Sequence, residues 1–361
     1  MKIRRLTVRR FTAFEDATFE LGSWVNVFIG ENGTGKSHVL KLLYALSESV
    51  RRFESGETLD VTGSQAGTLD AIVAEMLVGV FRPDALGRLV RRGRGRRSAK
   101  IELTWDSGSL EVTLSSLGKV TTRRAGELTS LGRAIFLPPR EVLTLFPGFA
   151  SAYMRRELDF DRTYYDLCIA LDAKPLRGPR PTVRADLLAP IEHALGGHVV
   201  VENGRFYLDL PDGRMEAPLV AEGLRKLAML AHLIVNGSLT ANAFLFWDEP
   251  EANLNPKLSQ LTSDVVFRLA GAGEGVQVFL ATHDYVLTSD LSLAIETNAA
   301  WRPGTVFFAL GRRDGQEGVA VERGELLADL QNNAILEAFA SLHDRERAAF
   351  DSARGVGEDV R

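Results

Sequence analysis

The sequence reads as an α/β domain, a mixed sheet with flanking helices, interrupted by an α+β insertion. Three features carry that reading. A glycine-rich turn joins a strand pattern to a helix pattern within residues 25–50, an apolar strand ends in the acids Asp248 and Glu249, and a second apolar strand ends at His283. The 361 residues are 45% hydrophobic and 25% charged, which excludes disordered, fibrous and disulfide-scaffold classes. A formal charge of -4 gives no global basic field, so nucleic-acid contact would need a local patch.

Alternation at Ile3, Leu6 and Val8, then Phe19 and Leu21, then Val25, Val27 and Ile29 predicts three short strands. From Ser37, apolar residues at Val39, Leu40, Leu42, Leu43, Ala45 and Leu46 give a helical stripe toward Val50. Residues 54–67 are polar and glycine-containing, a surface loop, and helices are expected at 69–80 and 85–90 around Pro83. Strand patterns at 101–105, 110–114 and 120–124 suggest a small antiparallel lobe, and 134–137 a return to the main sheet. Helices are expected at 150–170 and 182–195, and the Asn203-Gly204 turn marks a hairpin over 199–210. A buried helix over 221–235 closes at Asn236-Gly237. It leads into the continuous apolar run 243–247, of the kind a strand buried on both faces shows. A helix from Pro256, a buried strand at 276–281, a hairpin near 306–310 and 319–321, and an outer helix from Asn333 to Ala348 complete the pattern. The division expected is 1–53 and 216–350 for the two parts of the nucleotide-binding domain and 54–215 for the insertion. Residues 133–146 return to the core sheet, and 351–361 form a frayed tail.

Cys168 cannot form an internal disulfide and reads as a small core residue, which fits a reducing compartment. The N-terminal residues lack the apolar stretch of a secretion signal, and no run approaches the ~20 apolar residues of a membrane span. A cytoplasmic protein with no membrane contact is expected.

Residues 30–37, Gly-Glu-Asn-Gly-Thr-Gly-Lys-Ser, fit the G-x-x-x-x-G-K-S pattern between strand and helix, the context of a P-loop. Glu31, Asn32, Gly33, Thr34, Gly35, Lys36, Ser37 and His38 are the candidate cradle. Backbone amides and the helix N-terminus point at phosphate oxygens, Lys36 adds charge near the β and γ groups, and Ser37 can ligand Mg²⁺. The apolar run 244–247 delivers Asp248 to the Mg²⁺ shell and Glu249 beside it, and two adjacent carboxylates at a strand end repel each other without a cation. Glu249 is then the candidate general base for an attacking water. His283 ends the strand 279–282, where it is either structural or a γ-phosphate contact. Arg91, Arg92, Arg94, Arg96 and Arg97 belong to the strongest charge block, read either as a solvated loop or as a nucleic-acid patch.

These motifs, in this order, resemble the ABC-type ATPases, in the branch that contains SMC, RecF and OLD-like ATPases. Asn32 in the P-loop, the Asp248-Glu249-Pro250 Walker B and the switch-like His283 carry the resemblance. Residues 251–256 are similar to the branch's D-loop, and Arg10-Phe11-Thr12-Ala13-Phe14 to its opening turn. The resemblance covers about the first fifty residues and 215–290, and Pro139-Arg140-Glu141 lies where a Q-loop substitute would sit. It implies ATP and Mg²⁺ as cofactors, with Lys36, Glu249 and His283 catalytic and Ser37 and Asp248 on the metal. It also implies a head-to-tail homodimer with ATP at the interface. Ala221, Glu222, Gly223, Asn253 and Asn255 then meet the opposite subunit's nucleotide. Ala221 lacks the signature hydroxyl and Glu222 adds a negative charge, which puts fast turnover in question. The insertion lacks the heptads of an SMC arm, and about 80 residues after His283 hold no nuclease acid cluster, so the effector is expected on another chain. Three functions follow: an ATPase that drives or gates a partner, a low-turnover sensor that holds a toxin or nuclease, and a RecF-like DNA clamp using the arginine block.

Overall fold

In the computed structural model the described residues are 1–56, 68–93, 95–126, 131–174, 182–239, 242–271, 275–312, 315 and 317–355, with only the backbone of 182, 183 and 351–355. The chain opens with β1 (Ile3–Phe11) and β2 (Phe14–Glu20), antiparallel about a tight turn, then β3 (Val25–Gly30), α1 (Lys36–Ser55) and α2 (Leu69–Phe81). Next come β4 (Ser98–Trp105), β5 (Gly108–Ser115), β6 (Val120–Gly126) and β7 (Ala134–Leu137). Helices α3 (Phe146–Met154), α4 (Arg162–Leu171) and α5 (Thr182–Leu195) follow, then β8 (His198–Glu202), β9 (Arg205–Leu210) and β10 (Gly213–Glu216). The last part holds α6 (Glu222–Val235), β11 (Phe244–Asp248), α7 (Ser259–Gly271), β12 (Gln277–Thr282) and α8 (Tyr285–Thr297). It closes with β13 (Thr305–Arg312), β14 (Val319–Gly324) and α9 (Ala334–Gly355).

The main sheet has the order β14-β13-β3-β12-β11-β7, parallel except for β14. Its central strands are apolar on both faces because each face is covered. Val25, Val27 and Ile29 point into one core with α6 and α7, while Phe28 points into a second core with α1 and the antiparallel sheet. Stacked rings fill that second layer, with Phe246 on Phe279 at 4.7 Å and Phe28 on Phe308 at 5.1 Å. Truncating such a ring costs roughly 3–5 kcal/mol. This packing fixes the parallel strands in register, so whatever follows β3, β11, β12 and β7 emerges at one edge.

Several expectations are corrected. The strands after the arginine block make no lobe of their own: β4, β5 and β6 continue the sheet begun by the N-terminal strands, in the order β2-β1-β4-β5-β6. Alternation alone cannot see this, because it fixes which face of a strand is buried and not which strand lies beside it. The helix expected over 150–170 is two, with α3 kinked at Pro147 and Gly148 and α4 restarting under an Asp161 cap. Residues 86–89 form a short 3-10 turn, and α1 runs through Ser55, so the expected loop begins later; its residues 57–67 lie outside the described ones. The outer helix α9 packs by its first turn, around Ile335, and by Phe339 stacked on Tyr285 at 4.2 Å, and its residues from Glu337 to Phe350 are exposed; of the expected tail, 356–361 lie outside the described residues. Cys168 is buried and desolvation pushes its thiol up to about 12, as a core residue's should be. Among the described residues no helix is long and apolar enough to cross a membrane.

Candidate nucleotide site

Strands β3, β11 and β12 deliver the three motifs to the carboxyl edge of the sheet, the place where open α/β sheets gather ligands. Gly30 ends β3 with φ 149, and a Cβ there would collide with the Leu310 carbonyl oxygen, so both conformation and space demand glycine. Helix α1 starts at Lys36 with no acid in its first turn, which leaves its N-terminal amides and dipole free for an anion. Lys36 curls back over the loop, its Nζ donating to the Gly30 carbonyl at 2.7 Å and the Glu31 carbonyl at 3.0 Å. Burial pulls its pKa down, opposed by Glu249, Asp248, Glu251 and Glu31. Thr34 closes the turn by donating to the Glu31 carbonyl, while Glu31, Asn32 and Gly33 form the exposed tip. His38 sets its ring edge against Phe81.

The Ser37 hydroxyl donates to Asp248 Oδ1 at 3.0 Å, joining residues 211 positions apart. Asp248 is 3% exposed. Burial pushes its carboxyl up to about 6, with Glu249 adding to the shift and Ser37, Lys41 and Lys36 opposing it. The Ser37 hydroxyl and the Asp248 carboxylate are hard oxygen donors of the kind that would hold Mg²⁺. Among the described residues no group of three His, Cys, Asp or Glu side chains could hold a metal. The same shift has a stability consequence. A carboxyl whose folded pKa lies above its unfolded value of 3.8 destabilises the fold when ionised, so its cost grows as pH rises from about 4 to 6. Asp248→Asn is therefore expected to be more stable than wild type at pH 7.5 without Mg²⁺, by about 3 kcal/mol at most, the gap shrinking toward pH 4. Urea melts at the two pH values check this, and equal stabilities at both would contradict it.

Glu249 stands in left-handed backbone, φ 49, held by three bonds: its N–H donates to the Ala281 carbonyl at 2.8 Å, and its own carbonyl accepts from Lys226 Nζ at 2.9 Å and from the Ala252 amide at 3.1 Å. Lys226 is 1% exposed, and burial lowers its pKa against the pull of Glu251, Glu222, Glu249 and Asp248. His283 Nδ1 lies 3.5 Å from Glu249 Oε1 and 3.6 Å from Glu251 Oε1, so the expected base and switch residue do meet.

Residues 25–290 match the family model described as "AAA domain, putative AbiEii toxin, Type IV TA system". The chain belongs to this family. Its P-loop, Ser37–Asp248 pair and parallel sheet are thus those of a P-loop ATPase domain of the AAA type. Solved structures agree on the fold. An SMC head bound to the C-terminal winged-helix domain of ScpA is 14% identical, with TM-score 0.55, covering 91% of this chain and all of that one. An SMC head with an extended coiled coil, bound to the C-terminal domain of ScpA from Pyrococcus furiosus, is 10% identical, with TM-score 0.50, covering 96% and 99%. The SMC head of Thermotoga maritima is 14% identical, with TM-score 0.48 and coverage of 90% and 100%. On the two matches of TM-score 0.50 and above, the fold of the AAA domain here is SMC-head-like, with an antiparallel sheet packed on the mixed one.

The expected partner-facing residues divide. Ala221 sits at the N-cap of α6, exposed and without a side-chain bond, and Glu222 occupies the helix's first turn. Asn253 is exposed, and Asn255 uses its side chain to accept from the Lys257 amide. Gly223 is buried inside its own chain, where a Cβ would run into the Asn253 carbonyl oxygen and lie 2.8 Å from the Leu254 Cα. Of the stretch 139–141 expected as a Q-loop substitute, Glu141 is engaged within its own chain. It is buried on the Arg225 guanidinium at 3.0 Å and accepts from Thr144. In the arginine block, Arg91 donates to the Ala13 carbonyl at 2.9 Å and pairs with Glu15, Arg97 has partners within the chain, and Arg92 and Arg96 are exposed. Arg94 lies outside the described residues. Sequence reasoning missed the Lys226 contact, because a lysine in a helical stripe reads as a surface position until the strand end beneath it is placed.

Proposed function

We propose that this chain binds ATP with Mg²⁺, hydrolyses its β–γ phosphoanhydride bond within a head-to-tail homodimer, and through that cycle gates a partner protein. The observation that carries the reading is the Ser37–Asp248 bond with Glu249 and His283 beside it, the donor set and base that phosphoryl transfer to water requires. The P-loop amides, α1 and Lys36 hold the triphosphate, and Ser37 and Asp248 would hold Mg²⁺, which when bound would supply charge neutralisation. Glu249 takes a proton from the water whose oxygen bonds to the γ-phosphorus as the bond to the bridging oxygen breaks. His283 stands with Glu249 on the γ-phosphate side.

A second reading draws on α6. Ala221 offers no hydroxyl, and the Glu222 carboxylate competes with any anion for the helix dipole. Together with the family description, which names a toxin of a type IV system, this supports a low-turnover sensor that retains a toxin or nuclease partner. The SMC heads of similar fold bound to ScpA support a protein partner in either case. A DNA clamp draws little support, since Arg91 and Arg97 are engaged within the chain.

The deciding test is the solution mass of Glu249→Gln by light scattering. The variant keeps the P-loop and the metal pair, so ATP-Mg²⁺ is expected to convert monomer to dimer. A monomer with nucleotide bound would show that α6 has lost its role in trans, and would favour a different subunit completing the site.

A further inference from the structure

Glu251 is a partly buried carboxylate that the hydrolysis scheme does not use. It lies three residues past Asp248, and its side chain is 14% exposed. One oxygen, Oε1, gathers the end of the neighbouring strand: it accepts from the Thr282 hydroxyl at 2.7 Å and from the His283 amide at 3.2 Å. The same oxygen is 3.6 Å from His283 Nδ1, on the ring edge that also faces Glu249. The other oxygen, Oε2, is buried with no hydrogen-bond partner, so the carboxylate is anchored from one side only. Its own carbonyl accepts from the Leu254 amide at 2.8 Å, which ties the group to the loop that carries Glu249.

We propose that Glu251 is a positioning residue that registers His283 against Glu249. Among the described residues the loop after β11 and the end of β12 have no other side-chain bond between them, apart from the long His283–Glu249 contact. By holding the Thr282 hydroxyl and the His283 amide, Glu251 sets where the imidazole begins. By facing Nδ1 beside Glu249, it favours the tautomer with the proton on Nδ1, and this leaves Nε2 as the acceptor directed away from the two carboxylates. A retained acceptor at Oε1 suffices for the anchoring, so glutamine should replace glutamate where alanine cannot.

The inference rests on the hydrolytic reading for its kinetic arm and stands apart from it in its spectroscopic arm. In histidine-labelled protein, with the His283 signals assigned by loss in His283→Ala, ring nitrogen shifts are expected to report a single Nδ1–H tautomer in wild type and in Glu251→Gln. In Glu251→Ala they should move to the mixture of a free imidazole. Unchanged His283 shifts in Glu251→Ala overturn the proposal whether or not the protein hydrolyses ATP. Failure of wild type to hydrolyse ATP-Mg²⁺, with the shifts moving as stated, sinks the hydrolytic reading alone. Where turnover is measurable, Glu251→Ala is expected to lower kcat at least tenfold with KM within twofold, and Glu251→Gln to stay within threefold of wild type. In the His283→Ala background, Glu251→Ala should add less than twofold. A full tenfold further loss there overturns the proposal, because it would show that Glu251 acts on something other than His283.

Discussion

Lys36→Ala is expected to raise the dissociation constant for ATP by about 100-fold or more, about 2.8 kcal/mol, while the folded state survives. Lys36 donates only to two P-loop carbonyls, and four carboxylates, Glu249, Asp248, Glu251 and Glu31, raise its pKa against burial. Removing the ammonium therefore does two things. It deletes charge-assisted hydrogen bonds worth about 1.5–3 kcal/mol each to the triphosphate, and it leaves those carboxylates facing an incoming polyanion with one counter-charge fewer, since Lys226 and Lys41 remain. Lys36→Arg should not rescue binding, because a planar fork cannot replace a compact ammonium held against the Gly30 and Glu31 carbonyls. Calorimetry with ATP-Mg²⁺ reads both variants. Affinity within threefold of wild type for Lys36→Ala would mean that this loop does not hold the phosphates.

The parts of the site legible in the sequence are those in which chemistry and local pattern coincide. Gly30, Lys36 and Ser37 sit at a strand-to-helix turn that only a few residue types can make. Asp248 ends a run too apolar to be anything but a covered strand. The Ser37–Asp248 bond follows from the two patterns once both strands are assumed parallel, and the sheet order puts a single strand, β12, between them. What local pattern cannot show is partnership at a distance. The strands after the arginine block alternate as any half-buried strand does, and nothing in that alternation says that β4 will pair with β1.

The same limit explains the residues missed at the site. Arg91, read by composition, belongs to a basic run; read by contact, it braces the Ala13–Glu15 turn beside the P-loop glycine Gly35, whose Cβ would touch the Phe14 ring. Glu141, read from sequence as part of a Q-loop substitute, and Arg225, 84 positions further on, form a largely buried pair. Such a pair is weak evidence for stability and better evidence for a fixed arrangement. Here it fixes α6 to the loop after β7.

That arrangement makes Gly223→Ala the more informative of the remaining variants. In an isolated helix the change would stabilise, by about 0.5–1 kcal/mol. In this chain the added methyl meets backbone atoms, the Asn253 carbonyl oxygen and the Leu254 Cα, which cannot rotate away as a side chain would. Either α6 or the loop after Pro250 must move, at a cost of about 1–3 kcal/mol. Lys226 lies one turn along the same helix and holds the Glu249 carbonyl at 2.9 Å, so displacement of α6 reaches the candidate base directly. The expected result is a lowered melting temperature together with at least a tenfold loss of turnover, and an ATP dissociation constant within twofold of wild type, because the P-loop and the Ser37–Asp248 pair lie on other elements. Loss of ATP affinity in step with stability would instead show that the whole edge of the sheet had loosened. Wild-type turnover in the destabilised variant would show that Glu249 holds its left-handed backbone without help from α6.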